Sequence, residues 1–229
     1  MKILRLWAAL MVGLLVAALP ASNLRAQEMV SIGWGKALLT MPTGKPRAVI
    51  VLVPGGDGDI GISGDGSVAR DRNWIVRTRG AYTRAGMASL LLDAGANVGT
   101  AVSEGRKIAP RVIVVAMSRG STRIPSSLSA QPDGLVLASS FLDQIQGQLG
   151  SPAALPPTLV AHHRGDTCAR TDAGQVAPFM AWAGSRARLV WISGGSDFGN
   201  PCGNQGHHGF VGREGAVVSA IIGFVQRLR

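Results

Sequence analysis

The sequence predicts an α/β protein with a mainly parallel central sheet flanked by helices, and three observations lead to that prediction. Apolar runs of strand length alternate along the chain with segments of helical character. The run 112–115 consists of four β-branched residues, which is typical of a strand buried on both faces. Polar residues suited to nucleophilic chemistry follow several of these runs. This places them at the carboxyl edge of a parallel sheet, where binding and active sites form.

The first 26 residues have the pattern of a secretory signal peptide. Lys2 and Arg5 form a positive start, residues 6–19 form an apolar core, and small and polar residues follow to position 26. An uncleaved membrane anchor is the alternative, but this core is shorter than the roughly 20 residues that a span needs. We therefore expect cleavage, a domain over residues 27–229, export to the periplasm or the medium, and no stable membrane anchor afterwards.

The remaining chain suits one domain with a sizeable core. Its basic residues outnumber its acidic ones by seven, but they are scattered along the sequence without interleaved aromatic residues. Nucleic-acid binding is therefore not expected. The two cysteines, Cys168 and Cys202, form an even pair, which predicts one disulfide in an oxidising compartment.

The elements are predicted in chain order. A lead-in holds one or two antiparallel strands at 30–35 and 38–41, and buried strands follow at 48–53, 87–93, 112–115, 135–138, 158–162 and 188–192. Helices are expected at 71–85, at 103–109 as a short piece, at 121–128 in spite of Pro125, from Thr171 or Asp172 to Trp182, and at 215–228.

The stretch after the β-branched run points to a nucleophile. Ser118 stands between small residues, Ala116 and Gly120, as a sharp strand-to-helix turn requires. Such a turn presents the serine hydroxyl and aims the next backbone N–H, that of Arg119, at an attacked carbonyl. An ordinary turn in which the serine caps a helix is the plain alternative.

A glycine-rich loop at 54–58 follows an early strand, and it could supply a second oxyanion donor from the backbone of Gly56 or Asp57. Asp57, Asp59 and Asp65 in and after this loop do not fit a calcium-loop pattern, because glycine and glutamate are missing where the pattern needs them. We expect a solvated, flexible loop at the mouth of a pocket.

The order Ser118, Asp166, His208 resembles the nucleophile, acid and base order of the α/β-hydrolase family. Ala116 replaces the usual first glycine of the family's elbow, and Pro54 replaces the histidine of its oxyanion loop. The pieces His-His-x-x-Asp-x-Cys and Cys-x(5)-His-Gly-Phe also look like those of small exported bacterial α/β-hydrolases, in which Cys168 and Cys202 would tie the acid loop to the base loop.

The resemblance implies a serine hydrolase that acts on ester bonds of small molecules through an acyl-enzyme on Ser118, without a cofactor or metal. The connection 141–157, where this family inserts a lid, has room for only a short helix, so an open site is expected.

Neighbouring residues offer alternatives for two of the three roles. Asp172 competes with Asp166 but also suits a helix cap, and His207 competes with His208. Strand-end packing is the default interpretation of His162 and His163.

Two other functions compete with the serine hydrolase. A metal-dependent hydrolase could use the histidine and cysteine cluster, although no usual ligand spacing is present. An envelope binding protein with a decayed hydrolase scaffold is the other alternative.

Overall fold

A computed structural model describes residues 27–228, which form an eight-stranded sheet with helices on both faces. The predicted signal peptide lies outside the described residues. The strands are listed in chain order: β1 (Gln27–Ile32), β2 (Gly35–Thr40), β3 (Val49–Val53), β4 (Ala88–Leu92), β5 (Val112–Met117), β6 (Gly134–Ala138), β7 (Thr158–His163) and β8 (Ala187–Ile192).

The sheet has the spatial order β1-β2-β4-β3-β5-β6-β7-β8. The lead-in strands β1 and β2 are antiparallel to their neighbours, and β3 to β8 are parallel. Every residue of β3, β4, β5, β6 and β7 is buried, because helices cover both faces of the parallel part. The predicted fold class is therefore confirmed.

Five α-helices cover the sheet: α1 (Trp74–Arg84), α2 (Val98–Ile108), α3 (Leu142–Leu149), α4 (Val176–Ala183) and α5 (Glu214–Arg227). Apolar residues of α1 and α5 belong to the core on one face, and those of α2, α3 and α4 belong to the core on the other. None of the helices within residues 27–228 is long and apolar enough to cross a membrane.

Three predicted helices differ from the structure. The helix expected from Thr171 or Asp172 starts with a 3₁₀ turn, Ala173–Gln175, and is α-helical only from Val176. The helix expected at 103–109 begins earlier, at Val98, because Asn97 caps it by accepting a hydrogen bond from the backbone N–H of Thr100. The helix expected at 121–128 is replaced by two 3₁₀ segments, Ser118–Arg123 and Pro125–Ala130. Pro125 lacks the N–H group that an α-helix would need and separates the two segments.

The connection after β6 holds α3 and a single 3₁₀ turn, Pro152–Ala154, and no lid covers the sheet edge there. The sequence prediction of a short connection is confirmed. The carboxyl edge of the parallel strands is consequently open above Ser118.

Candidate active site

Ser118 occupies a strained backbone turn directly after β5. Its φ is +51°, a conformation that costs energy in any residue other than glycine and that persists only where its surroundings impose it. The side chain of Ser121 fixes the turn, since its hydroxyl donates to the Ser118 carbonyl at 2.6 Å and accepts from the Phe141 N–H at 3.1 Å. The elbow predicted from the sequence is therefore present as backbone geometry.

Two glycines allow the turn to pack closely against the loop after β3. A Cβ on Gly120 would lie 2.3 Å from the Pro54 carbonyl oxygen, and one on Gly55 would lie 3.0 Å from the Ser118 Cβ. Ala116, which replaces the family's first glycine, is fully buried within β5 and is accommodated there.

Asp166 and His208 come together although 42 residues separate them. His208 Nδ1 lies 3.0 Å from Asp166 Oδ2, and both side chains are buried. Asp166 Oδ1 accepts a further hydrogen bond from the Cys168 N–H at 3.0 Å. Burial raises the pKa of the Asp166 carboxyl, but the hydrogen bond and charge of His208 and the Cys168 N–H lower it more, so the pKa lies below its usual value.

Thr171 is a third polar side chain in this cluster. Its hydroxyl lies 3.1 Å from Asp166 Oδ2 and 3.1 Å from His208 Nδ1, and the residue is fully buried. From the sequence, Thr171 is predicted only as a helix cap, because a lone threonine before a helix carries no other signal. Asp172 has that capping role instead, accepting from the Gly174 N–H at 2.7 Å.

The other histidines have structural contacts. His163 Nδ1 accepts from the Gly165 N–H at 3.0 Å, so its Nε2 carries the proton and donates to the Gly194 carbonyl at 2.8 Å. His207 stacks on His163 with 4.1 Å between ring centroids, and its Nδ1 lies 3.1 Å from the Gly165 carbonyl. Burial lowers the pKa of His163 and keeps the ring neutral near pH 7.

His162, near the end of β7, also lies close to the candidate acid. Its Nε2 is 3.7 Å from Asp166 Oδ2, beyond hydrogen-bond distance, and its ring packs edge-on against Trp191. Burial lowers the pKa of His162, so the imidazole next to the Asp166 carboxylate is neutral near pH 7.

Cys168 and Cys202 form the predicted disulfide, with 4.6 Å between their Cα atoms. The bond joins the loop that follows β7 to the loop that follows β8, and these loops carry Asp166 and His208. Both sulfurs are therefore unavailable as thiolate ligands, and within residues 27–228 no three histidine, cysteine or carboxylate side chains group in a way that could hold a metal ion.

Ser118 and His208 line one open cleft of about 430 Å³. Gly56 lines the same cleft with a φ of +66°, and Arg119 is the second residue of the 3₁₀ segment Ser118–Arg123, whose first N–H groups have no partner within it. Apolar Met117 and Ile60 contribute to the walls.

The loop predicted to be flexible is anchored beneath the cleft by Asp93. The Asp93 carboxylate accepts from the backbone N–H groups of Ile60 at 2.7 Å and Ile62 at 2.9 Å. At the loop's surface, Arg70 pairs with Asp57 at 2.7 Å and with Asp59 at 3.3 Å. The carboxylates considered for calcium are thus occupied by an arginine and by turns of the backbone, and two of them, Asp57 and Asp59, line the cleft.

No protein-family model matches the sequence, and no curated protein matches it. Similar solved structures exist. The dienelactone hydrolase from Anabaena variabilis has a TM-score of 0.64 at 17% identity, with 90% of this chain and 98% of that chain covered. An α/β serine hydrolase without a lid from Xanthomonas campestris has a TM-score of 0.59 at 13% identity, with 89% and 94% covered.

An α/β serine hydrolase homologue from Coxiella burnetii aligns with a TM-score of 0.58 at 15% identity, covering 86% of this chain and 95% of that chain. Each of these alignments covers most of this chain. Together with the sheet order and the strained turn at Ser118, they identify the architecture. The chain has the α/β-hydrolase fold.

Proposed function

We propose that the protein is a serine hydrolase that cleaves ester bonds of small substrates. The observation that carries the proposal is the pairing of buried Asp166 with His208, which lines the same cleft as Ser118 on its strained turn. An esterase/lipase and a dienelactone hydrolase among the solved structures of this fold support the same reaction class.

In the proposed mechanism, His208 takes the proton of the Ser118 hydroxyl through Nε2 while the oxygen attacks the ester carbonyl. The Asp166 carboxylate accepts from His208 Nδ1–H, which fixes the tautomer and stabilises the imidazolium. The alcohol leaves with the proton returned by His208, and water then hydrolyses the acyl group from Ser118 by the same route. Backbone N–H groups of Gly56 and Arg119 are assigned to the oxyanion.

The substrate is proposed to be small because the cleft is open and of modest volume. A cleft of about 430 Å³ without a lid does not enclose a long acyl chain.

We also propose that residues 1–26 direct export and are removed, leaving the domain 27–229 in the periplasm or the medium. The disulfide supports this proposal, because such bonds persist in oxidising compartments. Sequencing the amino terminus of exported protein tests it, and an intact residue 1 there would contradict it.

The test of the reaction compares Ser118→Ala with Ser126→Ala, using a fluorophosphonate probe and an activated short-chain ester. Ser126 is exposed outside the cleft, so its variant should be labelled and active like the unaltered protein. Ser118→Ala should lose labelling and all but a trace of turnover. Absence of labelling in the unaltered protein would favour the decayed binding scaffold, and unchanged labelling of Ser118→Ala would exclude Ser118 as the nucleophile.

A further inference from the structure

Basic side chains gather at the amino-terminal edge of the parallel strands, which is the edge opposite the candidate active site. Along the chain these basic residues are scattered. In the fold they converge, because helix ends and the loops that enter the parallel strands all lie at this one edge. The residues near β3, β4 and β5 are Lys45, Arg47, Arg84, Arg106, Lys107 and Arg111.

Three more arginines continue the edge toward β8: Arg186, Arg188 and Arg227. These nine residues are called the basic edge below. Glu104 and Asp133 are the carboxylates near it, and they pair with Lys107 at 2.7 Å and Arg106 at 3.0 Å. The other described residues carry ten basic and eleven acidic side chains, so the basic edge accounts for the positive charge of residues 27–228.

Intramolecular roles explain only part of this cluster. Arg84, Arg106, Lys107 and Arg227 lie in the last turns of helices, where cations favourably oppose the helix dipole. Lys45, Arg111 and Arg188 are not at helix ends, and no carboxylate within residues 27–228 pairs with them. Seven of the nine cations thus have no ion-pair partner in the described part of the chain.

Shallow grooves with apolar residues run between these cations. Arg47, Arg106 and Lys107 line a groove of about 450 Å³, and Arg47 and Arg111 line another of about 180 Å³ together with Met87 and Val225. A third groove, of about 270 Å³, lies between Arg186, Arg188 and Arg227 and includes Phe224 and Leu228. Arg47 borders the first and second of these grooves, and the last turn of α5 borders the second and third. The three grooves therefore form one continuous strip along the edge.

We propose that the basic edge docks the protein on the surface of a bilayer that contains anionic phospholipids. Seven of its nine cations are arginines, whose planar guanidinium groups pair with phosphate in two-point contacts. The apolar groove residues between them can contact the glycerol and upper acyl carbons of the same lipids. Clustered basic residues bind such surfaces electrostatically and without insertion of a helix.

A lipid surface fits this edge better than single-stranded nucleic acid. Binding of a single strand uses aromatic side chains on which bases stack. The exposed large aromatic residues of the described chain, Trp34 and Phe198, lie instead in loops at the active-site edge of the sheet.

Docking through the basic edge directs the candidate cleft away from the bilayer. The parallel strands have five or six residues each, which places their two edges about 17–20 Å apart. That separation exceeds the Debye length of about 8 Å at physiological salt, so the lipid charge is screened at the cleft. The docked protein therefore keeps its cleft open to molecules in solution.

The experiment is flotation of the processed, exported protein with vesicles. One set contains phosphatidylglycerol in phosphatidylcholine, another contains phosphatidylcholine alone, and each is tested at low and high salt. The variant Lys45→Gln/Arg188→Gln/Arg227→Gln removes three charges from the basic edge, at side chains with no hydrogen bond in the described chain. The matched control, Lys36→Gln/Arg164→Gln/Arg213→Gln, removes three exposed charges elsewhere.

The unaltered protein and the control variant should float with anionic vesicles at low salt and should be released from them at high salt. Neither should float with neutral vesicles. The edge variant should bind anionic vesicles at least about tenfold more weakly, with an unchanged melting temperature. Equal weakening of both variants would overturn the proposal, because net charge alone would then explain binding. Binding to DNA or to heparin but not to anionic vesicles would also overturn it.

Discussion

At the scale of single residues, the orientation of the Asp166 carboxylate depends on three donors. The Cys168 N–H holds Oδ1, and the Thr171 hydroxyl and His208 Nδ1 share Oδ2. In the proposed mechanism His208 donates to Asp166, so the Thr171 hydroxyl also serves the carboxylate best as a donor. On the proposed function, Thr171 is therefore a positioning residue, which keeps Asp166 aligned while His208 gains and loses a proton.

The prediction for Thr171 is a loss of turnover without a loss of binding. Thr171→Val keeps the shape but removes a hydrogen bond to a charged group, a bond worth about 1.5–3 kcal/mol. We expect kcat to fall roughly tenfold or more, with KM unchanged, since Thr171 does not line the cleft. Thr171→Ser should restore kcat. Steady-state kinetics on both variants decide, and equal kcat in Thr171→Val and the unaltered protein would contradict the role.

At the scale of elements, the candidate acid and base lie on two loops that depend on each other. The loops follow the adjacent parallel strands β7 and β8, and the Cys168–Cys202 bond and the stacked His163 and His207 rings connect them. Cys202 itself lines the cleft. The geometry around His208 is thus a property of the joined loops and not of either one alone.

The prediction for the disulfide concerns both stability and turnover. The two cysteines are 34 residues apart, and opening a loop of this size should lower the free energy of unfolding by roughly 3–4 kcal/mol. Denaturant unfolding of Cys168→Ala/Cys202→Ala measures this loss. The kcat of the variant should fall as well, because the His208 loop loses its covalent tie. Two free thiols in exported protein, measured by mass spectrometry, would contradict the bond.

At the scale of the whole molecule, a buried carboxylate joins the sheet to the wall of the cleft. Burial raises the pKa of Asp93, but the backbone N–H groups of Ile60, Ile62 and Ala94 together lower it more, and its pKa lies below the usual value. A carboxyl with a depressed pKa in the folded state stabilises the fold above its unfolded pKa of about 3.9. That stabilisation is lost as the pH falls through the folded pKa.

We predict that the fold becomes less stable in acid and that Asp93 causes part of this decline. The free energy of unfolding should fall steadily below about pH 4 in the unaltered protein. Asp93→Asn should be less stable at pH 7 and should show a shallower decline, since its amide does not titrate. Asp71→Asn, which alters an exposed carboxylate, is the control and should keep the original slope. Denaturant unfolding at pH 3 to 7 measures all three, and equal slopes would refute the assignment to Asp93.

Local patterns in the sequence predicted much of this molecule, and contacts between distant segments account for the rest. The β-branched run before Ser118 and the small residues around it are local signals, and the sheet and the turn follow them. Thr171 and Asp93 gain their roles from partners 37 and up to 33 residues away, which no local pattern reveals. The basic edge likewise exists only after the parallel strands align the ends of the helices.

The Cys168–Cys202 bond also implies that the protein exists first in a reduced state and later in an oxidised state. In a reducing compartment both cysteines remain thiols, and the acid and base loops are connected by non-covalent contacts alone. On the proposed function and export, the chain is therefore weakest as a hydrolase where it is made. On the same two proposals, it becomes fully active only after export, when oxidation joins the two loops and the esters inside the producing cell are no longer accessible to it.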